Sequence, residues 1–151
     1  MDAENGMHDD KSFVMTNNLV SRLLDSAKMH SGSKALEIAG KAWTYEQLFS
    51  TAMQWAGSLE EHRNPLIGIY ADKSFDCFSA ILGTIMSGKG YVPLNPRFPF
   101  ERNTGIIKTA NLDLLLTGTE GLPFARLMNI EIPGSRAIQL DEREPGLSTD
   151  Q

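Results

Sequence analysis

The sequence of 151 residues holds one cysteine, Cys77, so no intrachain disulfide can form. Its three histidines, His8, His30 and His62, share no metal-ligand spacing with one another or with Cys77, which argues against a metal site. No apolar run approaches the ~20 residues that cross a bilayer. The acidic start, MDAENGMHDDKSF, has no apolar segment of the kind found in secretory signals. We therefore expect a cytoplasmic protein without a membrane partner.

Concentrated positive charge is also missing. The chain has 14 Lys and Arg against 19 Asp and Glu, a formal net charge of −5, and its basic residues are scattered. A nucleic-acid surface needs clustered cations, so nucleic acid is not expected as a partner. Hydrophobic residues make up 41% of the chain, enough for one folded domain with a core.

One glycine pattern imitates a phosphate-binding loop. Gly83, Gly88 and Lys89 match G-x-x-x-x-G-K, but Gly90 stands where Ser or Thr would bind magnesium. The pattern also closes a predicted helix, where the helix dipole is negative and repels phosphate. No glycine-rich loop follows any predicted strand either. This argues against an independent flavodoxin-like nucleotide-binding protein, a hypothesis that the alternation of strands and helices alone would permit.

Alternating strands and helices predict an α/β fold with a partial parallel sheet flanked by helices and an N-terminal β-hairpin. Thr44 and Gln47 form a capping-box pattern, and Pro99 is suited to open a helix. The predicted strands are Ala35–Ile38, Lys41–Trp43, Leu66–Tyr70, Tyr91–Leu94 and Leu112–Leu116, with a further strand around Ala137–Leu140. Predicted helices follow Asn17 or Asn18, Thr44, Ser74 and Pro99, with another around Leu122–Met128. The helix after Ser74 is apolar on more than one side, so we expect it to be covered on both faces.

The conspicuous acidic residues have structural explanations. Asp72 and Asp76 flank a helix start, where carboxylates favour the positive end of the dipole. Glu60 and Glu61 lie beside Arg63 at a solvated helix end. Cys77 lies in an apolar helical pattern, where we expect a small buried hydrophobe rather than a nucleophile. The sequence thus assigns no catalytic, cofactor-binding or metal-binding residue in this chain.

Two segments resemble the first signature motifs of the adenylate-forming enzymes, especially nonribosomal peptide synthetase adenylation domains. Trp43–Leu48, WTYEQL, resembles L-T-Y-x-E-L. Ile85–Arg102, IMSGKGYVPLNPRFPFER, resembles L-K-A-G-x-A-Y-V-P-L-D-P-x-Y-P-x-E-R. The departures from the two motifs are Trp43, Gln47, Met86, Ser87, Gly90, Asn95 and Phe98. Ala110–Thr117 resembles the strand that follows, and the resemblance covers about Leu19 to Leu140.

The resemblance implies the first part of the large domain of a ligase that joins an acid and ATP into an acyl-adenylate and pyrophosphate, usually followed by transfer to a carrier thiol. The complete enzyme would use ATP and magnesium. The family's Ser-, Thr- and Gly-rich phosphate loop ending in P-K-G, its adenine- and ribose-binding residues and its catalytic lysine are absent from this sequence. We therefore expect no cofactor in this chain and no catalysis by the chain alone.

The expected organisation is a flexible acidic tail over residues 1–16, the N-terminal subdomain of an adenylation domain over 17–141, and a polar end over 142–151. The expected partner is the remainder of an adenylation domain or a companion polypeptide, with a carrier protein in the full system. A truncated product, a crystallised fragment and half of a split enzyme are all compatible with this pattern. The alternative is a non-catalytic docking module derived from an adenylation domain, since its apolar helix and last strand need a cover.

Overall fold

The computed structural model describes residues 19–117 and 123–124. In chain order the elements are α1 (Leu19–Met29), β1 (Lys34–Ile38), β2 (Lys41–Thr44), α2 (Tyr45–Leu59), β3 (Leu66–Tyr70), α3 (Phe75–Met86), β4 (Gly90–Leu94), α4 (Phe100–Ala110) and β5 (Leu115–Thr117). No helix in these ranges is both long enough and apolar enough to cross a membrane.

Two sheets are present in the described part of the chain. β1 and β2 form an antiparallel hairpin, while β4, β3 and β5 form a parallel sheet in that order. Both β4 and β5 run parallel to β3, with Tyr70 opposite Leu94 on one side and opposite Thr117 on the other. The predicted α/β class, with a partial parallel sheet and an N-terminal hairpin, is confirmed.

The parallel sheet separates two apolar cores because successive strand side chains point to opposite faces. One core joins the sheet to α2 and α3 and contains Trp55, Leu59, Ile67, Ile69, Ala80, Leu114 and Leu116. The other joins the sheet to α4 and contains Tyr70, Leu94, Ile107, Leu112, Leu115 and Phe124. The helices therefore flank the sheet on both faces, as the sequence predicts.

Local sequence chemistry accounts for the hairpin and for the start of α2. Ala39 and Gly40 have φ angles of 51° and 80°, and together they form the two-residue turn between Ile38 and Lys41. Thr44 Oγ1 accepts from the Gln47 amide at 3.2 Å, and the Thr44 amide donates to Gln47 Oε1 at 2.9 Å. The capping box predicted from Thr44 and Gln47 is confirmed.

Helices α2 and α3 pack at unusually short range around Gly83. A Cβ atom at Gly83 would lie 2.5 Å from the Ala52 carbonyl oxygen and 2.5 Å from Trp55 Cβ. Beside this contact, the indole N–H of Trp55 donates to Ser79 Oγ at 3.3 Å inside the core. The approach of the two helices therefore requires a residue without a side chain at position 83.

Some predicted boundaries and burial levels differ from the structure. Strand β4 begins at Gly90, one residue earlier than predicted. The last strand begins at Leu115, three residues later than predicted, because the Leu112 amide still donates to the Ile107 carbonyl and so completes the end of α4. Helix α3 is not covered on both faces by the described residues, since Phe78 remains 38% exposed.

Other predictions fall on residues that the structure does not describe. They are the cap at Asn17 or Asn18, the strand around Ala137–Leu140, and the helix around Leu122–Met128 except for Pro123 and Phe124, which are helical.

Replacing Gly83 with alanine tests the packing of α2 against α3. The added methyl group must push the helices apart, and overpacking of this kind costs about 1–3 kcal/mol. The matched control is Gly57→Ala, because a Cβ at Gly57 meets no atom within 4 Å. The control should gain up to about 1 kcal/mol from helix propensity. Urea unfolding of both variants measures the difference, and equal stability of the two would contradict the close approach.

Candidate functional site

The carboxyl ends of the parallel strands form the candidate site, because successive strands are added on opposite sides of β3. From β3 it passes to β4 on one side, and from β4 it crosses to β5 on the other side of β3. Open α/β sheets bind ligands in the crevice outside the carboxyl ends of the strands at such a switch point. The site consists of the loop Ala71–Ser74 after β3, Thr117 at the end of β5, and the loop Asn95–Pro99 after β4, here called the crossing loop.

The loop after β3 carries one carboxylate, Asp72, and one cation, Lys73, and contains no glycine. Ser74 caps α3, since its Oγ accepts from the Cys77 amide at 3.1 Å. Asp72 precedes this cap and Asp76 lies in the first turn of α3. A phosphate at this helix terminus would meet the carboxylates of Asp72 and Asp76 beside the single cation Lys73, and it would find no glycine cradle, so the loop does not match a nucleotide phosphate loop. The flavodoxin-like hypothesis therefore has no support at the position where its ligand would bind.

The crossing loop is organised by Asn95. Its side-chain oxygen accepts from the Arg97 amide at 2.9 Å, and its main-chain carbonyl accepts from the Phe98 amide at 3.0 Å. The same carbonyl accepts a second bond, at 2.8 Å, from Nδ2 of Asn103, a residue of α4 that is only 1% exposed. Asparagine supplies the turn-forming oxygen that aspartate has in the resembling motif, so this departure keeps the local structure.

An ion pair joins the crossing loop to the loop after β3. Arg97 donates to Asp72 Oδ2 from Nη2 at 2.6 Å and from Nε at 3.1 Å. The hydrogen bond from Arg97 is the main reason why the pKa of the Asp72 carboxyl lies below its usual value, and a bond from the Lys73 amide adds to it. Asp72 is thus engaged as an ionised partner of Arg97.

Gly88 and Lys89 lie at the other end of the sheet from this site. Gly88 ends α3 with a φ of 79°, a conformation that favours glycine. The Lys89 ammonium donates to the His62 carbonyl at 2.5 Å, immediately before β4. The interpretation of the P-loop-like pattern as a helix end is confirmed, and Lys89 is held away from the carboxyl-end crevice.

The remaining polar candidates form no metal site among the described residues, where no group of three or more His, Cys, Asp and Glu could hold an ion. His62 Nε2 lies 3.0 Å from Asp113 Oδ1, a contact that the sequence did not predict. His30 is exposed, and His8 lies outside the described residues. Glu60, Glu61 and Arg63 are exposed, as expected.

Cys77 is half-buried instead of fully buried. Burial raises the pKa of its thiol, and the negative charges of Asp72 and Asp76 raise it further. A raised pKa keeps the thiol protonated near neutral pH, and the thiolate is the nucleophilic form. The position of Cys77 therefore favours packing over nucleophilic chemistry.

ATP and magnesium, which the resemblance implies, do not fit the described residues. Of the two helices that begin beside these loops, α3 carries Asp76 in its first turn and α4 carries Glu101. Arg97 is paired with Asp72, which leaves Lys73 as the cation of the loop after β3, and Lys89 lies at the opposite end of the sheet. A triphosphate needs backbone N–H groups and free cations around it. At the carboxyl ends of the strands, residues 19–117 provide two loops that are joined by the ion pair of Arg97 and Asp72, with the crossing loop also bonded to α4 through Asn103.

The sequence did not predict the contacts that hold these loops in place. Arg97 and Asp72 are 25 positions apart, and Asn103 reaches back 8 positions to Asn95. For Asn103 a signal did exist, because it precedes Ile106, Ile107 and Ala110 at helical spacing and is therefore a polar residue on the inward side of α4. Exposed Arg97 and Asp72 give no comparable pattern.

Comparison with known proteins gives consistent matches. The family model described as "AMP-binding enzyme" matches residues 23–148. An isonitrile lipopeptide synthase of Streptomyces coeruleorubidus is 32% identical over 127 residues, which are 82% of this chain and 8% of that protein. Tyrocidine synthase 3 of Brevibacillus parabrevis is 30% identical over 116 residues, 75% of this chain and 2% of that protein. The crystal structure of IdnL7 superposes with a TM-score of 0.66 at 27% identity, covering 73% of this chain and 23% of that one.

Removing the Arg97 side chain tests the ion pair. In Arg97→Ala the pKa of Asp72 should rise, yet stay below its ordinary value because the Lys73 amide still donates to it. The matched control is Lys34→Ala, which removes the partner of Glu37 in a second exposed pair and should raise the pKa of Glu37 alone. NMR titration of the carboxyl carbons follows both groups. An unchanged pKa of Asp72 in Arg97→Ala would refute the contact.

Removing the Asn103 side chain tests the buried brace of the crossing loop. Asn103→Ala loses the bond to the Asn95 carbonyl and leaves a small void, so the free energy of unfolding should fall by about 1–3 kcal/mol. Thr104→Ala is the control, because it removes only an exposed bond to the Glu101 carbonyl and should change stability by less than about 0.5 kcal/mol. If both variants unfold at the same urea concentration, Asn103 does not brace the loop.

Proposed function

Since the chain belongs to the AMP-binding enzyme family, we propose that it forms the opening part of the large domain of an adenylate-forming ligase of the kind found in nonribosomal peptide synthetases. The observation that carries the proposal is the folded form of Ser87–Arg102. This segment ends α3, forms β4, turns at Asn95 and starts α4 as one continuous braced unit. Its resemblance to the second adenylation motif thus extends from sequence to a defined structural role.

The complete reaction would join a carboxylic or amino acid to ATP, giving an acyl-adenylate and pyrophosphate, and would usually pass the acyl group to a carrier thiol. The charge that develops on the phosphates during this reaction needs fixed N–H donors and cations. Residues 19–117 offer Asp72 and Asp76 at the switch point instead. We infer that ATP and magnesium are held by other polypeptide and that these residues contribute the scaffold.

The proposed organisation follows the expected boundaries. Residues 17–141 would form the N-terminal subdomain, with flanking segments at 1–16 and 142–151. The chain spans 8% or less of the two synthases named above, so the acid substrate and the carrier belong to the larger assembly. The partner we propose is the remaining part of an adenylation domain, present in the same chain or supplied by a companion polypeptide.

A second candidate function, a non-catalytic docking module, is favoured by exposed apolar side chains. Phe78 on α3, Tyr91 on β4 and Phe100 on α4 are 38%, 39% and 47% exposed. A module of this kind would bind an unrelated protein and would gain no activity from the rest of an adenylation domain. The two candidates therefore differ in what restores function, and one assay separates them.

ATP–pyrophosphate exchange across a panel of amino and carboxylic acids is that assay. The chain alone should show no exchange above background, because its described residues hold no phosphate cradle. Addition of a polypeptide that carries the later family motifs should restore exchange, and Gly83→Ala should weaken the restoration while Gly57→Ala should not.

Exchange by the chain alone would overturn the scaffold proposal. Failure of every such polypeptide to restore exchange, while the chain binds an unrelated protein, would favour the docking module instead.

A further inference from the structure

We draw no further inference here: the strongest candidate, the partly exposed apolar face of α3 formed by Phe78, Leu82 and Ile85, carries no proposal because nothing in the described part of the chain shows what covers it.

Discussion

The close approach of α2 and α3 at Gly83 is the contact on which the rest of the structure depends. Only a residue without Cβ lets the Ala52 carbonyl and Trp55 come this near to α3. That proximity places Trp55 and Leu59 against Ile67 and Ile69 of the central strand and so builds one face of the sheet. If the helices separated, Trp55 would lose its close packing at Gly83 and its hydrogen bond to Ser79, since interiors are close-packed.

The second organising contact is the crossing loop, which carries the chain from one face of the sheet to the other. The Asn95 carbonyl accepts hydrogen bonds from the Phe98 amide and from the side chain of the buried Asn103. Arg97 forms an ion pair with Asp72 in the loop after β3. These bonds hold the loop against two different elements. Asn95, Arg97 and Asn103 thus form hydrogen bonds and an ion pair within the protein. These contacts explain how a sequence motif of an enzyme family can have a structural role.

Much of the fold could be predicted from the sequence because its signals are local. Thr44 with Gln47 marks a helix start, and Ala39–Gly40 closes a two-residue turn. The pairing of Arg97 with Asp72 could not be predicted, since exposed charges follow no period. Gly83 shows the limit most clearly, because in sequence it belongs to an imitation phosphate loop, whereas in the structure its role is to let two helices touch.

We propose that residues 19–117 supply scaffold and no nucleotide site. Titration of the chain with ATP and magnesium, followed by NMR shifts of the backbone amides, tests it most directly. We expect no saturable shift at millimolar nucleotide, with at most weak changes spread over exposed amides. Saturable shifts confined to Ala71–Cys77 or to Gly88–Gly90 would show nucleotide binding by this scaffold, because they would place a phosphate where the structure has carboxylates or a helix end.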